Sequence, residues 1–142
     1  DIGQLVIFHK EPQKAKQALL LSIEEHDDLA LHKAEQEVFG FDHAQVGAAL
    51  LRHWHFPELL IESVAFHHAP EQAQHFPMET ALVHIANSIA TLAEIDSVSE
   101  QDAVQTEPAA WRVTGLDKST IEPTVRATQA QFADMRNLLL GS

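Results

Sequence analysis

Apolar residues recur at intervals of three and four along most of this chain, and few segments alternate between apolar and polar residues. Intervals of three and four place side chains on one face of an α-helix, whereas a half-buried strand alternates with a period of two. The sequence therefore predicts an all-α domain with six or seven helices.

Proline, glycine and capping residues mark the expected helix ends. Pro12 and Pro57 suit the first turn of a helix, Gly40 suits the left-handed position after a helix, and Asp42 suits an N-cap. With the apolar periodicity, they predict helices over 12–25, 31–39, 43–55, 57–68, 78–95, 108–113 and 119–140. The acidic stretch 96–107 is expected to be a solvated loop. The inward face of helix 43–55 is predicted to consist of Val46, Ala49, Leu50 and Trp54.

The chain starts with an apolar stretch, residues 1–7, that shows no cap before it, as though a helix had been cut. We expect the chain to be a fragment of a longer domain. Ile2, Leu5 and Val6 are then expected to pack on preceding helices or on another chain, because soluble proteins rarely leave large apolar patches exposed.

The charge of the chain limits its partners. It has 9 Lys and Arg against 21 Asp and Glu, a formal net charge of −12 with His neutral. This charge repels nucleic-acid phosphates and anionic lipids, so neither nucleic acid nor a membrane is an expected partner. No apolar run reaches the roughly 20 residues that span a bilayer, and no signal-like segment begins the chain. We therefore expect a cytoplasmic protein.

The chain has no cysteine but ten histidines. Disulfides, zinc–thiolate sites and cysteine nucleophiles are excluded, so His, Asp and Glu are the remaining metal ligands. The chain also lacks a Gly-x-Ser-x-Gly elbow, a Gly-rich phosphate loop and a His-Glu-x-x-His helix. A histidine–carboxylate site that holds divalent ions and activates water is the enzymatic chemistry that remains.

Some of the histidines lie on separate predicted helices, at an end or on one face. The candidates for a shared site are Asp1, His43, His67, His68, His84 and Asn87. A helical bundle could bring them together, and a shared site requires His43 and His67 to lie within about 12 Å of each other.

The other histidines have a structural interpretation. His53 and His55 close a helix, where the dipole favours a protonated imidazole. The remaining four lie among charged or loop residues and are expected to be solvated: His9, His26, His32 and His75.

Four motifs follow one another along the chain: FGFDHAQVGAALL at 39–51, WHFPE at 54–58, FHHAP at 66–70 and LVHIAN at 82–87. With DIGQL at 1–5, they resemble the motifs of HDOD domains, the bacterial HD-related output domains. The resemblance covers nearly the whole chain and is specific over residues 37–88. It implies an HD-superfamily helical bundle, with residues 1–142 forming a single HDOD-like domain that lacks its N-terminal helices.

In catalytic relatives of HDOD domains, metal is held by a His-Asp pair, later histidines and a final Asp. The resemblance carries these roles to Asp1, His43, His67, His68 and Asn87, which implies a vestigial or weak site for a divalent transition metal. Three departures argue against efficient hydrolysis. Asn87 replaces the final Asp, Gln4 replaces a lysine, and no Gly-Tyr-Pro follows His68.

The resemblance therefore implies a bacterial signal-transduction output module, non-catalytic or weakly metal-binding. It would act through a protein partner or an upstream sensory domain, and it could form a homo-oligomer. The alternative is a metal-dependent phosphohydrolase or phosphodiesterase that uses Asp1, His43, His67 and His68.

Overall fold

The computed structural model describes residues 1–25, 29–94 and 106–141. These residues form helices without strands, which confirms the all-α prediction. Eight α-helices are described: α1 (Ile2–Lys10), α2 (Pro12–Glu25), α3 (Leu29–Phe39), α4 (His43–His53), α5 (Glu58–Ala65), α6 (Pro77–Glu94), α7 (Pro108–Thr114) and α8 (Ile121–Leu140). Short 3₁₀ turns cover Pro70–Gln72 and Lys118–Thr120.

All seven predicted helices are present, some with shifted ends. Helix α4 ends at His53, two residues early, and His55 adopts a positive φ of 58° in the following turn. Helix α5 ends at Ala65, so His67 and His68 lie in the turn after it. The predictions for His26 and for most of the loop 96–107 fall outside the described residues. Thr106 is described and is buried, which contradicts the solvated loop at that position.

The eighth helix, α1, is the apolar stretch at the start of the chain. Asp1 is its N-cap, because one carboxylate oxygen accepts a hydrogen bond from the Gly3 N–H at 2.8 Å. The expectation that this stretch has no cap is therefore wrong. Aspartate is among the strongest N-cap residues, and here it orients the first turn of α1.

Helix α1 crosses α4 in direct backbone contact. A Cβ atom at Gly3 would lie 1.9 Å from the His43 carbonyl oxygen and 2.7 Å from the Gly47 nitrogen. Only glycine allows helices to approach this closely. The contact places Asp1, at the start of α1, beside the first turn of α4.

This contact also changes the inward face of α4. The buried residues are His43, Ala44, Gly47 and Ala48, whereas the predicted Ala49 and Trp54 are exposed. Small side chains face inward because α1 leaves no space for larger ones. The predicted inward face of α4 is therefore wrong at Ala49 and Trp54, whereas Val46 and Leu50 are half-buried.

A cluster of buried apolar side chains lies among α6, α7 and α8. Ala81, Ile85 and Leu92 of α6 pack with residues of α7 and α8, namely Ala110, Trp111, Ile121 and Val125. Trp111 donates a hydrogen bond from Nε1 to the Thr106 hydroxyl at 2.6 Å. This cluster anchors α6, whose N-terminal half packs against α5.

The segment between α5 and α6 folds around a buried carboxylate. Glu62 of α5 accepts hydrogen bonds from the backbone N–H groups of Gln74, His75 and Phe76. Burial raises the pKa of Glu62, but these three donors together outweigh burial and lower it. The carboxylate therefore fixes the path of the chain into α6.

The surface retains many apolar side chains. Leu5 of α1 is 69% exposed, and the end of α8 exposes Phe132, Met135 and Leu138 to Leu140. Whether α1 packs on preceding helices or on another chain stays a prediction. No helix in the described parts of the chain is both long and apolar enough to cross a membrane.

Candidate metal centre

Three histidines from two parts of the fold converge on one point. Each of His43, His67 and His68 offers a ring nitrogen, and these three atoms lie within 4.8 Å of one another. The ring centroids of His43 and His67 are 5.6 Å apart, well inside the limit that a shared site requires. His43 and His67 are buried and His68 is partly buried.

His43 is positioned by the turn that connects α3 to α4. Gly40 turns the chain with a φ of 78°, and Asp42 and Gln45 then form a capping box at the start of α4. Gln36 of α3 donates a further hydrogen bond to Asp42 at 2.9 Å. These bonds hold the first turn of α4, and thus His43, against α3.

Glu35 of α3 holds the His43 side chain, and sequence reasoning missed it. Its Oε2 accepts hydrogen bonds from the His43 backbone N–H at 2.8 Å and from Nδ1 at 2.6 Å. Nδ1 therefore donates to Glu35, and Nε2 is the ring nitrogen on the opposite side. That nitrogen faces the cluster, 2.8 Å from Nε2 of His68.

His67 and Asp1 form the opposite side of the cluster. Nδ1 of His67 donates to the Val64 carbonyl at 2.7 Å, so its Nε2 is also the free nitrogen. Asp1 Oδ2 lies 3.5 Å from Nε2 of His67 and 3.9 Å from Nε2 of His43. The other Asp1 oxygen caps α1, so the two functions of this carboxylate use different atoms.

His68 is covered by a fourth histidine. The His32 ring stacks on it with centroids 4.9 Å apart and an interplanar angle of 8°. The prediction that His32 is solvated is therefore wrong. Its ring is partly buried, and its Nδ1 has no hydrogen-bond partner within the described residues.

Burial favours the neutral form of the His32, His67 and His68 side chains. It lowers the pKa of His32 and of His67, and it lowers the pKa of His68 to about 2, with His67 and His43 contributing further. A neutral imidazole is the form that binds metal. The cluster therefore presents metal-binding nitrogens at neutral pH.

Residues 1–70 match the family model of the HDOD domain. Over these residues the chain is similar to HDOD domains. The matched part of the HDOD domain contains Asp1, His43, His67 and His68, whereas His84 and Asn87 lie beyond it. No curated protein and no solved structure matches the chain.

His84 lies next to the histidine cluster, but both of its ring nitrogens are hydrogen-bonded. Its Nδ1 donates to the His67 carbonyl at 2.7 Å, and its Nε2 accepts a hydrogen bond from the Glu107 N–H at 2.9 Å. His84 therefore positions His67 through the backbone. Asn87, one turn later on α6, is exposed, and its role as a ligand stays a prediction.

The other histidines that the structure describes lie outside the cluster. His9, His53, His55 and His75 are all exposed. They provide internal controls for experiments on the site, because each can be replaced without touching the cluster.

The possible ligand atoms of this cluster are three imidazole nitrogens and one carboxylate oxygen, and they suit a divalent transition metal. Imidazole nitrogens suit Zn²⁺, Ni²⁺ and Fe²⁺, and a carboxylate adds negative charge. A groove of about 490 Å³ borders His68 and His32, with Gln36, Arg52 and Phe66 also lining it.

Proposed function

We propose that this HDOD domain is a bacterial, cytoplasmic signal-transduction output module that binds a divalent transition metal and acts through a protein partner. The metal ligands in this proposal are His43, His67 and His68, with Asp1 as the carboxylate. The observation that supports it is the convergence of three ring nitrogens within 4.8 Å, with a carboxylate oxygen 3.5 Å from one of them.

The hydrogen bonds around the cluster support a binding role. Val64 and Glu35 accept hydrogen bonds from Nδ1 of two histidines, so each Nε2 faces the cluster, where Nε2 of His43 is hydrogen-bonded to Nε2 of His68. Ligating histidines in metal sites are oriented in this way, with the second ring nitrogen donating to a carbonyl or carboxylate.

The same ligand set disfavours efficient hydrolysis. A bound ion would act as a Lewis acid and lower the pKa of a bound water. Asp1 is the one carboxylate proposed as a ligand, and Asn87 at the position of the final Asp is neutral. Mg²⁺ and Mn²⁺ prefer carboxylate oxygen, so this site suits Zn²⁺ better than the metals of many phosphohydrolases.

A phosphohydrolase is the second candidate, and one observation favours it. The Asp1 side chain is 24% exposed, so solvent reaches the carboxylate side of the cluster. A substrate phosphate could approach from there. The two candidates differ in turnover, which the experiment below measures.

The exposed apolar side chains support a protein partner. Leu5 and Phe8 of α1 and Leu20 and Ile23 of α2 are 38–69% exposed. An upstream sensory domain, another protein or a second copy of the chain could cover them. The net charge of −12 disfavours nucleic acid as the partner.

Metal titration with a turnover assay tests the proposal. The metal-free protein would be titrated with Zn²⁺, Ni²⁺, Mn²⁺ and Mg²⁺ by calorimetry, and hydrolysis of a phosphodiester and a cyclic dinucleotide would be followed. We expect one Zn²⁺ per chain, weak Mg²⁺ binding and no turnover. His67→Ala should lose Zn²⁺ binding, whereas His75→Ala should retain it.

Two results would contradict this proposal. Equal Zn²⁺ affinity in the His67→Ala and His75→Ala variants would exclude the cluster as the metal site. Turnover with Mn²⁺ that disappears in His67→Ala would establish the phosphohydrolase instead.

A further inference from the structure

We infer that Glu35 is a positioning residue of the metal site, which fixes the His43 ring and supplies a second negative charge through it. The inference rests on the proposed metal-binding function. It concerns a residue that neither the spacing of the histidines nor the family resemblance pointed to.

The burial of Glu35 is the first observation. This side chain is 1% exposed and is among the largest fully buried side chains of the described residues. Burying a carboxylate is costly unless a positive or hydrogen-bonding partner compensates it. The burial therefore needs an explanation.

The partner of Glu35 is His43. One carboxylate oxygen accepts from both the backbone N–H and the ring Nδ1 of His43. Within the described parts of the chain, no Lys or Arg forms an ion pair with Glu35. The two hydrogen bonds from His43 are therefore the contacts that compensate the burial of Glu35.

The far side of that ring faces the cluster. Its Nε2 lies 2.8 Å from Nε2 of His68 and 3.9 Å from Asp1 Oδ2. A cation bound there by His43 would also interact electrostatically with the Glu35 carboxylate on the other side of the imidazole ring. A carboxylate behind a ligating histidine increases the basicity of the ligand and fixes its tautomer.

This arrangement alters the charge balance of the site. Asp1 contributes one negative charge directly, and Glu35 contributes another through His43. Two carboxylates balance one divalent cation, although Asn87 carries no charge. The missing final Asp is thus partly replaced by a carboxylate on α3 that does not itself touch the ion.

Glu35→Gln is the direct test, because it removes the charge while keeping nearly the same shape. Zn²⁺ affinity should fall about 10- to 100-fold with the stoichiometry unchanged. Glu37→Gln is the matched control, since Glu37 lies on the same helix but is exposed. The control should bind Zn²⁺ as the unchanged protein does. Equal affinity in all three proteins, or an equal loss in both variants, would overturn the inference.

A second measurement needs no metal. Long-range ¹H–¹⁵N correlation spectra report which ring nitrogen of His43 carries the proton. We expect the Nδ1–H tautomer in the unchanged protein, and a mixture of tautomers in Glu35→Gln. A His43 ring protonated on Nε2 with Nδ1 bare would overturn the inference even if Glu35→Gln failed to fold.

The two measurements separate this inference from the proposed function. If the unchanged protein bound no Zn²⁺, the metal site would fail, and so would the charge-balancing role of Glu35. The tautomer of His43 would then be the remaining test of whether Glu35 orients the His43 ring. If the unchanged protein bound Zn²⁺ and Glu35→Gln bound it equally well, only the role of Glu35 would fail.

Discussion

Replacing Gly3 with alanine should separate Asp1 from the histidines. The new Cβ would lie 1.9 Å from the His43 carbonyl oxygen and 2.9 Å from its carbon, both rigid backbone atoms of α4. An ordinary contact needs at least about 3.4 Å, so α1 must shift by roughly 1.5 Å or change its crossing angle. Overpacking of this kind costs about 1–3 kcal/mol, which exceeds the gain of up to about 1 kcal/mol from helix propensity.

The shift also acts on the site. Asp1 Oδ2 lies 3.5 Å from Nε2 of His67, and a displacement of α1 by roughly 1.5 Å would increase this distance to about 5 Å. Asp1 would then be too far away to share an ion with the histidines. Zn²⁺ affinity should fall at least tenfold, or about 1.4 kcal/mol.

Urea denaturation and Zn²⁺ calorimetry on Gly3→Ala would measure both effects. Gly47→Ala is the matched control, because its Cβ would meet a side-chain methyl group of Val64 at 2.9 Å, while Asp1 Oδ1 and the Gly3 nitrogen lie at an ordinary 3.7 Å. The control should lose less stability and keep its Zn²⁺ affinity. A Gly3→Ala protein with unchanged stability and affinity would refute the proposed role of the α1–α4 contact.

Three further predictions concern the histidines and Asn87. His84→Ala should lower the free energy of unfolding by about 2–3 kcal/mol in urea denaturation, because two hydrogen bonds at a buried ring are lost; a loss no larger than that of His75→Ala would contradict this. The lowered pKa values of His67 and His68 mean that the unfolded chain binds more protons below about pH 6.5. The stability of the metal-free protein should therefore be complete above that pH and fall by up to about 2 kcal/mol at pH 5.5, and a flat profile would contradict the burial of these rings. Asn87→Asp should raise Mn²⁺ affinity about tenfold in calorimetry, and no gain would exclude Asn87 as a ligand position.

The sequence predicted the helices and the position of His43 at the start of a helix because both depend on local patterns. Periodicity and capping residues set the helices, and Asp42 correctly placed His43 at the start of α4. His67 and His68 were identified as candidates from their position at the end of a predicted helix. These features need no knowledge of how distant helices pack.

The residues that sequence reasoning missed depend on that packing. Glu35 resembles any charged residue of an exposed helix, and only the turn at Gly40 brings it back to His43. His32 is covered because α3 lies over His68. The inward face of α4 was predicted from large apolar residues, whereas the backbone contact with α1 requires the smallest ones.

The hydrogen bonds of His84 connect the part of the chain that matches the family model to helices beyond it. The match ends at Pro70, which is itself buried. His67, three residues earlier, has its carbonyl bonded by His84 of α6, and the same ring accepts from the backbone beside α7. A fragment cut at residue 70 would keep every proposed ligand but lose the support behind one of them. Helices α6 and α7, although outside the match, thus support the candidate metal centre.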